Sequence, residues 1–354
     1  MIYLIGESSQ ISPKMDGYFT KENGILIIPS LKGLDMSNVF NFVGASVEGL
    51  SLDEATQRAG MNWNVSKRSV YVTDISDKNN TELFTTNKFF ATTRDDTNQI
   101  LGIVGPDYQV VQNNELAYMC ERLQGSDVKI ETAGILDNGR RVFIQMRGNA
   151  FDVGPKKDTN IPYTLFTNGH DGQWPLSSLP TSVRVICENT LNMALQNGSK
   201  KNMIISVRHT GNMQDRLESM FQAIENWKDR TLDFQTKIES LARKEVNTEF
   251  VQNFWTNLYM NLFGNIHNSP SSETQRDENK VAYSTVAKWS NVFDSEVKLS
   301  GANLWTAANA VTSWLDHGQI YRGTKKNENR FNDTLFGSGA KEKIRTMNYA
   351  LSAI

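Results

Sequence analysis

The apolar residues of this chain change their spacing near Gly211, and no other feature constrains the fold as strongly. Before that point they occur in short runs bounded by turn residues, many of them alternating with polar residues as in half-buried β-strands. Beyond it they recur at steps of three and four, the spacing of one helix face. Strands followed by helices predict an α+β fold: an antiparallel β-meander with packed helices, then a mainly helical C-terminal unit.

The first part of the chain contains capping and turn signals that place its elements. Ser51 followed by Glu54 is a capping box and predicts a short helix that ends near Gly60. The other expected elements are three meander strands within residues 64–105, a helix over 113–124, a hairpin over 128–147 with its turn at 137–139, strands at 163–166, 184–187 and 204–208, a polar loop over 167–174 and a helix over 188–195.

The second part is expected to be helical. An apolar stripe predicts one long helix that packs against another, and it consists of Leu217, Met220, Ile224, Trp227, Thr231, Phe234, Ile238 and Leu241. Further helices are expected over residues 246–263, from 281 and over 303–315, with a solvent loop over 265–279. Residues 318–354 carry seven Lys and Arg against three Asp and Glu, a net charge of +4.

Length and composition indicate how the chain is divided into domains and in which cellular compartment it is expected. The 354 residues exceed the roughly 250–300 at which a single core stops growing. We therefore divide the chain into an N-terminal arm over residues 1–46, an α+β core domain over 47–210 and a helical domain over 211–354 with a basic end. Cys120 and Cys187 are predicted to be buried thiols in a reducing compartment. No signal peptide or membrane span is predicted, so the cytoplasm is expected.

The sequence lacks the motifs of common catalytic sites. It has no phosphate loop, dinucleotide fingerprint, zinc-protease helix, nucleophile elbow or paired cysteine motif, so we assign no catalytic residue and no cofactor. The four histidines are His170, His209, His267 and His317. A metal site built from His170, Asp171, His209 and His317 stays open as an alternative, but no spacing requires it, and hydrogen-bonded loop histidines are favoured.

Basic residues form local clusters on a chain whose net charge is only −2. If the 128–147 hairpin and the segment after the sheet share one face, these clusters form a positive groove that follows a nucleic-acid backbone. For any one pair of neighbouring basic residues, the other explanation is an ordinary solvent-exposed surface. The predicted nucleic-acid contacts are Arg140, Arg141, Arg184, Lys200, Lys201 and Arg208.

Several motifs taken together resemble one known family. They are residues 59–63, 101–105, 108–113, 132–134, 139–142, 167–172, 183–191, 208–212 and 305–312, with Asp316 and His317. In this order, from about Gly44 to the C-terminus, they resemble the phage/plasmid-like protein family, whose members have no characterised function. Gly169 and Glu188 depart from the family pattern, in which a serine and a shorter polar residue are expected at these two positions. The resemblance implies family motifs, with no assigned role, at Asn168, His170, Asp171, Asn189, His209 and His317.

The resemblance implies a setting in the cytoplasm of a bacterium that carries a phage or plasmid. The element order is similar to that of phage single-strand annealing proteins of the RecT, Redβ and Erf types, which need no cofactor. We therefore predict a homo-oligomer that binds and anneals single-stranded DNA or RNA. Two alternatives stay open: a non-enzymatic protein that binds and counters a host defence factor, and a metal-dependent nucleic-acid enzyme.

Overall fold

A computed structural model describes residues 20–22, 25–27, 43–73, 83–124, 127–184, 190–192, 205–211, 218 and 227–354. Contacts between residues divide the chain into two compact units, Met1–Met36 and Ser37–Ile354. In the first unit, strand β1 (Thr20–Glu22) pairs antiparallel with β2 (Ile25–Ile27). All elements below belong to the second unit. The three domains expected from the sequence stay a prediction.

The strands of the second unit form two antiparallel sheets. They are β3 (Ala45–Ser46), β4 (Val65–Val72), β5 (Phe84–Arg94), β6 (Ile100–Val104), β7 (Val128–Leu136), β8 (Arg141–Gly148), β9 (Phe151–Val153), β10 (Asp158–Gly169), β11 (Leu176–Arg184), β12 (Thr190–Asn192) and β13 (Ile205–Val207). The smaller sheet has the order β4-β5-β6, which confirms the predicted meander. The larger has the order β12-β11-β10-β8-β7-β3, with β13 paired to β11 and β9 to β10.

Helices cover the larger sheet and form most of the C-terminal part. They are α1 (Leu52–Arg58), α2 (Asn113–Leu123), α3 (Trp227–Arg243), α4 (Thr248–Leu262), α5 (Glu273–Ser300), α6 (Leu304–His317), α7 (Lys326–Leu335) and α8 (Ser338–Leu351). The α+β class is thereby confirmed. Ser51 and Glu54 form the predicted capping box at the start of α1. None of the helices within the described ranges is long and apolar enough to cross a membrane.

Strand alternation gives the larger sheet two apolar faces. Ile144 and Phe166 belong to a core shared with α1 and α2, whereas their neighbours Phe143 and Leu165 pack with Phe331 of α7. A third core lies among helices α3, α4, α5, α6 and α8 and includes Val153 of β9 and Leu191 of β12. The sheet and the helices therefore share buried side chains.

The predicted apolar stripe is confirmed over residues 234–241, whereas Trp227 and Thr231 are only partly buried. Phe234, Ile238 and Leu241 of α3 are fully buried in the helical core. Leu217, Met220 and Ile224 lie outside the described residues.

Three local predictions were wrong. Residues 190–192, expected in a helix, form β12, because their backbone pairs with the edge of β11. Residues 167–169, expected in a loop, extend β10, because β8 and β10 pair as far as Gly169. Residues 273–279, expected in a loop, begin α5, because the Ser272 hydroxyl caps it by accepting from the Gln275 amide.

Candidate functional site

A cleft of about 460 Å³ lies where the β10-β11 connection meets the residues that follow β13. We call it the histidine cleft, and it is lined by Tyr108, Gly172, Gln173, Trp174, Pro175, Arg208, His209 and Thr210. An antiparallel bridge between Tyr108 and Thr210 joins the segment after β6 to the segment after β13. The cleft therefore combines residues from three separate parts of the chain.

The wall formed by the β10-β11 connection is a tight turn. The Asp171 carboxylate accepts hydrogen bonds from the Gln173 and Trp174 amides at 2.9 and 3.1 Å. A Cβ at Gly169 would lie 2.5 Å from the Trp174 carbonyl oxygen, so a side chain does not fit there. The Trp174 indole nitrogen donates to the Thr167 hydroxyl at 3.1 Å. These contacts hold the Trp174 ring at the cleft.

His170 is buried behind this wall in its neutral form. Asn113 donates its Nδ2 protons to the carbonyls of Met61 and Trp63, so its Oδ1 accepts from His170 Nε2 at 2.9 Å. Burial, assisted by nearby His209, lowers the pKa of His170 to about 3. Its Nδ1 is then an acceptor, and it has no hydrogen-bond partner in the described part of the chain.

His209 has the opposite tautomer. Its Nδ1 lies 3.1 Å from the Gln109 carbonyl and must donate to it, which makes Nε2 an acceptor. Burial lowers the pKa of His209, while the Gln109 carbonyl and the Asp171 carboxylate act in the opposite direction. The ring stacks on Tyr108 with centroids 4.9 Å apart. The Tyr108 hydroxyl donates to the Gly169 carbonyl at 2.9 Å, which ties both rings to the end of β10.

The two predicted arginines of the β7-β8 hairpin have different environments. Arg140 is exposed, and its carbonyl accepts from the His170 amide at 2.7 Å, which places it beside the wall of the cleft. Arg141 is buried, forms an ion pair with Asp137 and donates to Asn332 of α7 at 2.8 Å. Its guanidinium also lies 4.8 Å from the centre of the Trp174 ring. Arg141 is therefore inaccessible to a phosphate backbone.

The other predicted residues are only partly brought together. Arg208 is exposed and lines the cleft, and Asn168 donates to the Val111 carbonyl at 2.9 Å behind it. His317 lies at the end of α6, where its Nδ1 is 2.9 Å from Arg330. Arg184 is the last residue of β11. Asn189, Lys200 and Lys201 lie outside the described residues.

The arrangement offers hydrogen-bond acceptors, an aromatic ring and a cation rather than a metal cage. Within the described ranges, no three His, Cys, Asp or Glu side chains lie close enough together to hold a metal ion. The site also contains Tyr108, Asn113 and Trp174, which were not predicted from the sequence. The only available signal was their presence in or beside the motifs of the resemblance, because their contacts join segments far apart in the chain.

Comparison with known families identifies the family of this chain. A family described as a domain of unknown function (DUF932) matches residues 100–336. The chain belongs to the DUF932 family. No curated protein and no solved structure matches it. The DUF932 match extends from β6 into the turn after α7 and so includes every residue that lines the histidine cleft. A phage or plasmid origin stays a prediction.

Proposed function

We propose that this DUF932 protein binds and anneals single-stranded nucleic acid as a homo-oligomer, in the cytoplasm of a bacterium that carries a phage or plasmid. One observation carries the proposal. Exposed Arg208 lines the same cleft as the Trp174 ring, and exposed Arg140 lies in the hairpin beside the cleft wall, where its carbonyl accepts from the His170 amide. Cations beside an aromatic surface are the combination that binds single strands without reading their sequence.

The physical basis is attraction between a local positive surface and phosphates. The chain as a whole has a net charge of −2, so binding depends on such a local surface. Each neutralised phosphate releases a counterion, which makes the affinity fall as salt rises. Annealing then follows when an oligomer holds strands with their bases accessible to a complementary strand.

The test measures fluorescence anisotropy of labelled single-stranded DNA and RNA at about 50 mM salt and above. For Arg208→Ala, which removes the arginine that lines the cleft, the slope of log affinity against log salt should fall by about 0.7, the value for one phosphate on a single strand. Arg58→Ala is the matched control, because this arginine is exposed on α1 and does not line the cleft. A second assay follows duplex formation between complementary strands with and without protein.

An absence of binding to either nucleic acid at low salt would overturn the proposal. The alternative of a protein that counters a host defence factor would then be the better hypothesis. Binding without acceleration of duplex formation would limit the function to strand binding. The metal-dependent alternative draws no support from the arrangement of the described residues.

A further inference from the structure

A second concave surface lies between the end of α4 and the start of α5. It encloses about 1000 Å³, and we call it the acidic groove. Three carboxylates line it, those of Glu273, Asp277 and Glu278. No Lys or Arg is among the described residues that line it, and its basic side chain is that of His267, whose Nε2 lies 2.8 Å from the Glu278 carboxylate. The acidic groove is therefore a surface that attracts cations.

The acidic groove also has an apolar floor that is open to solvent. Phe263 and Val281 line the groove and are 39% and 58% exposed. The Tyr259 ring, which also lines it, lies beside Phe263 with centroids 5.3 Å apart. Buried Trp289 supports both rings from the core, at centroid distances of 6.2 and 6.5 Å. Because the floor is already fixed by packing, a partner buries it without the entropic cost of ordering it.

The cations of the same helix leave most of the charge of the groove uncompensated. Arg276 and Lys280 belong to the first turns of α5 but do not line the groove. Lys280 pairs with Asp277, but the two side chains are 76% and 57% exposed, and an ion pair so open to water contributes little. Glu273 is exposed and has no ion-pair partner in the described part of the chain.

The loop between α6 and α7 has the complementary composition. We call residues 318–326 the basic loop, which contains no Asp or Glu and three cations, Arg322, Lys325 and Lys326. Lys325 pairs with Asp137, whereas Arg322 and Lys326 are exposed and form no ion pair within the described ranges. Ile320 is 74% exposed, more than any other large apolar side chain of the described residues. The basic loop thus presents an aliphatic side chain beside unpaired cations.

Local contacts hold the basic loop in one shape. The Tyr321 hydroxyl donates to the Asp333 carboxylate at 2.7 Å. Gly323 has a φ of +87°, a conformation that favours glycine, and its carbonyl accepts from the Lys326 amide at 3.3 Å. Ile320 is therefore displayed to solvent, and it is not among the residues that line the acidic groove of its own chain.

We infer that the basic loop of one copy of the chain binds in the acidic groove of another copy. Ile320 packs on Phe263 and Val281, and Arg322 lies beside Glu273. Burial of apolar side chains drives the association, and opposite charges select which surfaces meet. The inference rests on the proposed function, because it supplies the contact that joins copies in the homo-oligomer. Both surfaces lie within the DUF932 match.

Charge favours a second copy over nucleic acid as the occupant of the acidic groove. Its three carboxylates repel phosphates, whereas they attract the cations of the basic loop. Because loop and groove are different surfaces, the contact joins copies head to tail and repeats into a ring or a filament. Such an assembly places several copies along one strand.

The test is the molar mass of the free protein, measured by light scattering over a range of concentrations without nucleic acid. The loop variant Ile320→Ser/Arg322→Ser and the groove variant Glu273→Gln/Val281→Ser should each weaken self-association on the order of tenfold or more, because each loses an apolar contact and a charge pair. Mixed in equal amounts, the two variants should form a dimer and no larger species, because each supplies the one surface that the other lacks.

The matched control is Lys298→Ser/Leu299→Ser. It removes an exposed cation and a 57% exposed leucine from the other end of α5, so this variant should assemble as the wild-type protein does. All substituted positions are exposed, and far-ultraviolet circular dichroism checks that each variant is folded. High salt should weaken the assembly of the wild-type protein, because it screens the charges of loop and groove.

The possible results separate this inference from the proposed function. If either the loop variant or the groove variant assembles as the wild-type protein does, or if their mixture stays monomeric, the loop and the groove are not partners and the oligomer has another interface. If the wild-type protein stays monomeric at every concentration, the inference and the homo-oligomer fail together. Strand binding, measured separately by anisotropy, would then still stand or fall on its own.

Discussion

Arg140 and Arg141 are adjacent arginines with different roles. Arg140 lies in solvent beside the cleft, whereas Arg141 joins Asp137 of the hairpin turn to Asn332 of α7. Removing Arg141 would leave the negative charge of Asp137 less well compensated, because Arg141 and Lys325 both pair with it. The Arg140 side chain forms no comparable contact in the described part of the chain.

We expect Arg141→Ala to lower the free energy of unfolding by roughly 1–3 kcal/mol, the range for hydrogen bonds to charged groups, discounted because Asp137 is partly exposed. Arg140→Ala should change it by less than about 0.5 kcal/mol. Urea unfolding followed by tryptophan fluorescence measures both. Equal stability of the two variants would contradict the assignment of Arg141 to the interior.

Because His170 is buried in its neutral form, we expect the stability of the folded protein to depend on pH. Its pKa in the folded protein is about 3, because burial disfavours the charged imidazolium. In the unfolded chain it is near the ordinary value of about 6.5. Between these values the unfolded state binds the extra proton, so stability falls as pH falls, by about 1.4 kcal/mol per pH unit for this one group.

His170→Asn should therefore lose less stability than the wild-type protein between pH 7 and pH 5, even if it is less stable at pH 7. The measurement is the free energy of unfolding from urea titrations at each pH. Parallel curves for the two proteins would show that His170 is not buried as a neutral group.

At the scale of elements, helix α3 offers an internal comparison between its buried and exposed positions. Phe234 is fully buried, whereas Leu232, two residues earlier, is 61% exposed. Phe234→Ala should cost about 3–5 kcal/mol through lost burial and the cavity left behind. Leu232→Ala should cost less than about 0.5 kcal/mol. Thermal unfolding by circular dichroism compares them, and similar losses would refute the assigned buried face.

At the scale of the whole molecule, one buried ion pair connects the larger sheet to the helices. Lys343 of α8 donates to Asp316 of α6 at 2.6 Å and to the Thr190 carbonyl of β12 at 2.5 Å. The other Asp316 oxygen accepts from the Thr190 amide at 2.8 Å. Burial lowers the pKa of Lys343, and the Asp316 carboxylate acts against that shift. The edge of the sheet is thus held by a charged pair inside the helical core.

Lys343→Ala should destabilise the protein by about 3–5 kcal/mol, because it leaves the Asp316 carboxylate buried without its counter-ion. Lys343→Met combined with Asp316→Asn should recover part of this loss, since no buried charge remains. Fluorescence and far-ultraviolet circular dichroism should report the same transition, because sheet and helices share a core. Two separate transitions would show that the sheet and the helices unfold independently.

The sequence by itself determined those features that depend on near neighbours. The meander, the β7-β8 hairpin and the capping box of α1 were all predicted from residues a few positions apart, since alternation, turns and caps act over that distance. Local patterns gave a wrong prediction where pairing with another strand decided the structure. Residues 190–192 were expected in a helix but form β12, because they pair with the edge of β11.

Only the tertiary structure decided which predicted residues meet and which are buried. Arg141 and its partner Asn332 are 191 positions apart, and His170 is 57 positions from Asn113. No local pattern indicates such contacts, because each is set by how sheets and helices pack. Packing therefore buried one of two adjacent arginines and brought Tyr108, Trp174 and Arg208 together at one cleft.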